Sequence, residues 1–148
     1  ISELMTIGEG LGEADAKVHA SPAVTEALLV HGAAFRDFPG MSILADKEKA
    51  MAASPLGHVD GKEPPFLLWH GSNDKLVSPM QSAHMFEALK KAGVDVRYRL
   101  VEGAGHGDLV WYQEPVIREV TTWFAEKLGP VTPVEKRAEK TADKAGTL

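Results

Sequence analysis

The sequence predicts an α/β fold whose best-defined part is a strand–helix–strand–helix (βαβα) unit over residues 64–129. Three observations point to it. Phe66, Leu67, Leu68 and Trp69 form a continuous apolar run after Pro64-Pro65, the pattern of a strand covered on both faces of a parallel sheet. An amphipathic helical pattern with its own start and stop signals comes next. An alternating stretch from Val94 to Leu100 then leads through a glycine-rich loop into a second helical pattern.

Residues 1–63 mix short helical patterns with Gly and Pro and contain no clear strand. They are expected to form a helical, loop-rich segment, either a lid or a connection. Ser21-Pro22 before "AVTEALLV" predicts a capped short helix with Pro22 at its first position. "HGAAFRDFPGMS" reads as loop, and "ILADKEKAMAAS" as another short helix that closes before Pro55. In the first helix of the βαβα unit, Ser78 is the expected N-cap and Pro79 the first helical residue. Met85, Phe86, Leu89 and Ala92 give the apolar stripe, Lys90 and Lys91 suit the last turn, and Gly93 is the stop. In the following strand Val94, Val96, Tyr98 and Leu100 alternate with Asp95, Arg97 and Arg99, so one face is covered and the other wetter. Pro115 opens the last helix, whose expected apolar face is Val116, Ile117, Val120, Phe124 and Leu128, and Gly129-Pro130 ends it. Residues 130–148 lack large apolar side chains after Val134 and read as a mobile tail or a solvated helix.

Composition narrows the function classes. The 148 residues amount to one domain or a piece of a larger one, with 44% hydrophobic and 25% charged residues, as in ordinary globular proteins. A net charge of −5 gives no electrostatic footprint for nucleic acid or an anionic membrane. No apolar run approaches the roughly 20 residues of a membrane span, so a soluble protein is expected. Without cysteine there is no disulfide, thiolate metal site or cysteine nucleophile. Both cytoplasmic and secreted locations stay open. The chain begins at Ile1 with nothing resembling a signal sequence, and the expectation is that the start of the gene product is missing.

In open α/β sheets ligands bind beyond the carboxyl ends of the strands. Here "HGSND" follows the first strand and carries Asp74, and "GAGHGD" follows the second and carries His106. Adjacent strands therefore present a carboxylate and an imidazole at one edge. A carboxylate on one imidazole nitrogen fixes the tautomer and leaves the other nitrogen as a general base. Asp108, two residues after His106, is the rival acid, but its proximity suits shaping the loop. His70 reads as a packed or backbone-bonded side chain. His19, His31, His58 and His84 have no chemical partner in view, and no H-E-x-x-H or other metal-ligand spacing occurs. Trp111 and Tyr112 either line a pocket mouth or pack against neighbours.

The block from Pro64 to Asp108 resembles the C-terminal end of α/β-hydrolases. It is most similar to the esterase and lipase branch that includes feruloyl-esterase-like and prolyl-oligopeptidase-like proteins. Gly71, Asp74 and Val77 match the family's G-x-x-D-x-x-V turn, and Gly103 with His106-Gly107 matches its G-x-x-H-G loop. The resemblance is dense over residues 64–128 and weaker before them. It implies that Asp74 is the orienting acid and His106 the general base of a Ser-His-Asp triad, with no cofactor or metal and a small-molecule ester as substrate. The family order, serine then acid then histidine, puts the nucleophile upstream of Asp74.

The sequence departs from the family in having no Gly-x-Ser-x-Gly elbow and no glycine-rich oxyanion loop. The nearest string is "GMSIL", with Ser42, but Leu44 replaces the second glycine and no apolar strand precedes it. The chain is thus expected to be the C-terminal fragment of a serine hydrolase, partnered by the N-terminal part of the same hydrolase. A serine peptidase of acylaminoacyl or prolyl-oligopeptidase type, or a non-catalytic binding module, remain alternatives.

Overall fold

A computed structural model describes residues 1–22, 24–31 and 41–129. Five α-helices and two strands occur among them: α1 (Glu13–His19), α2 (Thr25–Val30), α3 (Lys47–Ala52), β1 (Phe66–Gly71), α4 (Pro79–Lys91), β2 (Val96–Val101) and α5 (Glu114–Leu128). The strands pair in parallel, with Phe66 opposite Val96 and Gly71 opposite Val101. The βαβα order read from the sequence is the order observed.

The register sorts the side chains. Phe66, Leu68, Val96 and Tyr98 share the face toward α4, where Phe86 and Tyr98 place their rings 5.6 Å apart. Leu67, Trp69, Arg97 and Arg99 share the other face. There Arg97 pairs with Glu126 at 2.8 Å and Arg99 with Glu119 at 3.3 Å, tying β2 to α5. Arg99 also lies 5.1 Å from the centre of the Trp69 ring, a cation–π distance. Helix, sheet and helix thus form three layers.

Helix α4 starts and stops where its signals stand. The Ser78 hydroxyl accepts from Met80 N at 3.2 Å, and Pro79 occupies the first turn, where its missing N–H costs nothing. At the other end Val94 N donates to Leu89 O and Gly93 N to Lys90 O, the paired bonds of a Schellman ending.

Several expectations fail, each for a physical reason. The run at Phe66–His70 is only half-buried, because β1 has one strand neighbour among the described residues. Leu100, expected on the covered face of β2, is exposed, since β2 too has one strand neighbour among the described residues. Ala92 is exposed as the C-cap of α4, and Gln81 and Leu89 are the residues α4 buries. On α5 the buried residue is Trp123, absent from the expected stripe, while Ile117, Phe124 and Leu128 face outward. The sequence pattern gives an apolar arc wider than the sheet available here to cover it.

The first 63 residues hold a small apolar core of their own: Leu4, Ile7, Ala27, Val30, Ile43 and Ala50. Helix α2 begins at Thr25, three residues later than Pro22 suggests, with Val24 at its N-cap and no side-chain cap. The segment after Ser42 is split into a 3-10 turn, Ile43–Ala45, and α3, because Asp46 accepts from Lys49 N and starts a fresh helix. Residues 32–40 of the expected loop at 31–42 and the expected tail over 130–148 lie outside the described residues.

One buried amide ties this segment to α4. Gln81 Oε1 accepts from the backbone N–H of Ser2 at 2.9 Å and of Glu3 at 2.8 Å, and the Gln81 carbonyl accepts from the Ser2 hydroxyl at 2.6 Å. Leu56 N returns to Ser2 O at 2.9 Å. The first residues of the chain are thereby held against α4.

Candidate active site

The loops after β1 and β2 are laced together by their backbones. Ser72 N donates to Val101 O at 2.9 Å, Asn73 N to Ala104 O at 3.0 Å, and Gly103 N to Ser72 Oγ at 2.8 Å. Gly71 makes this possible: a Cβ built on it would lie 2.7 Å from the Ala104 carbonyl carbon and closer still to its oxygen. Gly103 turns the second loop with φ +74°, a region that disfavours other residues. Of the three glycines around His106, this is the one whose backbone demands glycine.

That docking brings the two residues expected from the sequence together. His106 Nδ1 lies 2.9 Å from Asp74 Oδ2. A carboxylate only accepts, so Nδ1 carries a proton, and in the neutral ring Nε2 is left with its lone pair. The His106 side chain is 53% exposed, whereas that of Asp74 is 5% exposed. No described residue bonds to Nε2. The other carboxylate oxygen, Oδ1, accepts from Leu76 N and Val77 N, both at 2.9 Å.

Burial, the largest single influence on Asp74, pushes its pKa up. The Val77 N–H, the His106 ring and the Leu76 N–H together outweigh burial and hold the carboxyl below its ordinary value. The arrangement is a buried, ionised acid that orients a solvent-facing imidazole.

Asp108 does not compete. It takes the Gly105 N–H at 2.6 Å and so shapes the histidine loop. Trp111 closes the same loop by donating its indole N–H to Gly105 O at 2.9 Å. Trp111 also lines a cavity of about 310 Å³ together with Ile1, Trp69, Val77, Asp74 and His106. Tyr112 is exposed and outside it.

His19, His31 and His58 each donate Nε2–H to a backbone carbonyl, of Leu76, Ser42 and Ala52 respectively. His84 stands between Glu3 and Glu9, at 3.8 and 3.9 Å. Ser42 sits in extended backbone at the start of the Ile43–Ala45 turn and does not line the His106 cavity. Sequence reasoning missed the close approach at Gly71, although the glycine directly after an apolar strand was visible. It also missed how near His70 stands to Asp74, for which the spacing i, i+4 across a turn was the available signal.

Comparison with known proteins gives a consistent picture. The model of the prolyl oligopeptidase family, Peptidase_S9, matches residues 16–131. A probable isoprenylcysteine alpha-carbonyl methylesterase of Arabidopsis thaliana is 31% identical over 94 residues, 58% of this chain and 20% of that protein. A putative Xaa-Pro dipeptidyl-peptidase of Rhodopirellula baltica is 38% identical over 82 residues, 55% of this chain and 12% of that protein. Among solved structures, a thermophilic esterase of Thermogutta terrifontis aligns with a TM-score of 0.51 at 25% identity, over 69% of this chain and 36% of that one. The aligned stretches span a fifth or less of the two curated relatives.

Proposed function

The chain belongs to the prolyl oligopeptidase family of serine hydrolases, and from that premise we propose that it is the C-terminal part of a hydrolase cleaving carboxylic esters. Asp74 and His106 are its acid and base, and the serine lies on upstream polypeptide. The observation that carries this reading is the 2.9 Å bond from His106 Nδ1 to a buried Asp74, with Nε2 left open.

In this mechanism His106 Nε2 takes the proton of the serine hydroxyl as its oxygen attacks the ester carbonyl. The tetrahedral intermediate expels the alcohol, which leaves with the proton from His106, and an acyl-serine remains. A water then gives its proton to Nε2 and attacks the acyl carbon. The carboxylic acid departs and the serine is reprotonated. Asp74 stays ionised and stabilises the imidazolium formed in each half-reaction. The esterase with the same fold portion supports the ester reading.

A peptidase is the second reading, favoured by the family match and by the dipeptidyl-peptidase relative. Fold and acid–base pair are shared by both activities.

The test measures p-nitrophenyl acetate turnover by the 148-residue chain alone and by the longer polypeptide that includes the upstream region. The longer form is expected to turn over and to be stopped by a serine-directed phosphonate and by His106→Ala. The chain alone is expected to match its own His106→Ala variant. Saturable, phosphonate-sensitive turnover by the chain alone would overturn the upstream serine and direct attention to Ser42. A matched ester and amide then separate esterase from peptidase.

A further inference from the structure

Asp74 has a second imidazole against it. His70, the residue before Gly71 on β1, places Nε2 2.9 Å from the Val77 carbonyl and 3.2 Å from Asp74 Oδ2. Its Nδ1 lies 2.6 Å from Ser82 Oγ on α4. A carbonyl only accepts, so the His70 proton is on Nε2 and points at Val77, and Nδ1 is free to accept from the Ser82 hydroxyl. The ring is 10% exposed and both its nitrogens are engaged.

Val77 is therefore gripped from two sides. Its C=O is held by His70, and its N–H is held by Asp74 Oδ1 at 2.9 Å. The positive end of the His70 N–H also lies beside Oδ2, the oxygen that His106 uses. On the hydrolase reading above, we infer that His70 is a positioning residue for the acid–base pair. It fixes Val77 through its carbonyl, so that the Val77 N–H pins Oδ1, and this leaves Oδ2 aimed at His106. Ser82 holds His70 in turn, so the orientation of the exposed imidazole is set from the first turn of α4.

A histidine packed only for its volume predicts something different, and ring nitrogen NMR of the protein distinguishes the two. The comparison is of wild type with His70→Leu, His70→Gln and Ser82→Ala, reading the tautomer of His106 and the exchange of its Nδ1 proton with water. Glutamine keeps a donor near the position of Nε2, whereas leucine keeps volume alone. In His70→Leu the Nδ1 proton of His106 is expected to exchange at least about tenfold faster, with the tautomer moving toward Nε2–H. His70→Gln is expected to restore most of the wild-type signal, and Ser82→Ala to move it part of the way. A folded His70→Leu protein, by circular dichroism, with unchanged His106 signals would overturn the inference. Should His70→Leu not fold, unchanged His106 signals in Ser82→Ala would overturn it equally. Failure of the hydrolase reading looks different: the longer polypeptide would then show no phosphonate-sensitive turnover, while the His106 signals of the variants would still report on His70.

Discussion

Ala104 passes over Gly71 so closely that its carbonyl carbon would stand 2.7 Å from any Cβ at that position. The acid loop and the histidine loop are therefore separated by one backbone thickness with no room for a methyl group. Gly71→Ala is expected to destabilise the protein by about 2–3 kcal/mol, as overpacking of backbone against backbone does. It also pushes the His106 loop outward, and a displacement of about 1 Å is worth about 100-fold in rate. Gly103→Ala is the control: it meets no atom within 4 Å and pays only for its φ of +74°, about 1–2 kcal/mol. Denaturant melts and ester turnover of the longer polypeptide measure both. Equal rates for the two variants would contradict the close-approach account.

Asp74 and Asp108 both lie near His106, and substitution separates their roles. Asp74→Asn puts an amide on the imidazole and favours the wrong tautomer, so kcat of the complete hydrolase is expected to fall about 10⁴-fold. Asp108→Ala removes one hydrogen bond to Gly105 N, costing about 1 kcal/mol, and leaves kcat within about tenfold. The reverse order of effects would make Asp108 the acid.

The depressed pKa of Asp74 has a signed consequence. Its folded value lies below its ordinary one, so the ionised carboxylate contributes stability that is fully present above about pH 4, the unfolded range for aspartate. That contribution is lost as pH falls through the folded value. Urea melts between pH 7 and pH 2 are expected to show wild type losing stability below about pH 4 more steeply than Asp74→Ala. Parallel curves would remove Asp74 from the acid-sensitive groups.

Gln81 carries the amide that holds residues 2 and 3, and leucine is a shorter, apolar replacement for it. Gln81→Leu strands two N–H donors in a buried setting, at about 1–3 kcal/mol each if water cannot reach them. Hydrogen exchange is expected to accelerate first at Ser2 and Glu3, before the strands open. Uniform acceleration across the chain would mean that the N-terminal segment does not detach separately.

Much of the site was legible because its determinants are local in the chain. The Ser78-Pro79 start, the Gly93 stop and the two loops at the strand ends are each announced within a few residues, so Asp74 and His106 could be paired on paper. What escaped depends on neighbours. Whether Trp123 or Phe124 faces the sheet is decided by how far the covering surface extends, and the helical period alone allows either. The half-burial of Phe66 to His70 likewise reflects how many strands stand alongside. Ser21-Pro22 misled because Pro at a helix start is permissive and does not fix where the first turn closes.

The parallel register, Gly71 opposite Val101, makes the acid–base distance a readout of strand alignment. A slip of β2 by one residue would carry the root of the histidine loop about 3.3 Å along the sheet and reverse which side chains face α4. Asp74 would then face a histidine out of reach. Misaligned molecules, however compact, are silent in any assay that needs the pair. On the proposed reading, specific activity of the longer polypeptide after refolding is expected to count the correctly threaded population, which bulk secondary-structure signals cannot do.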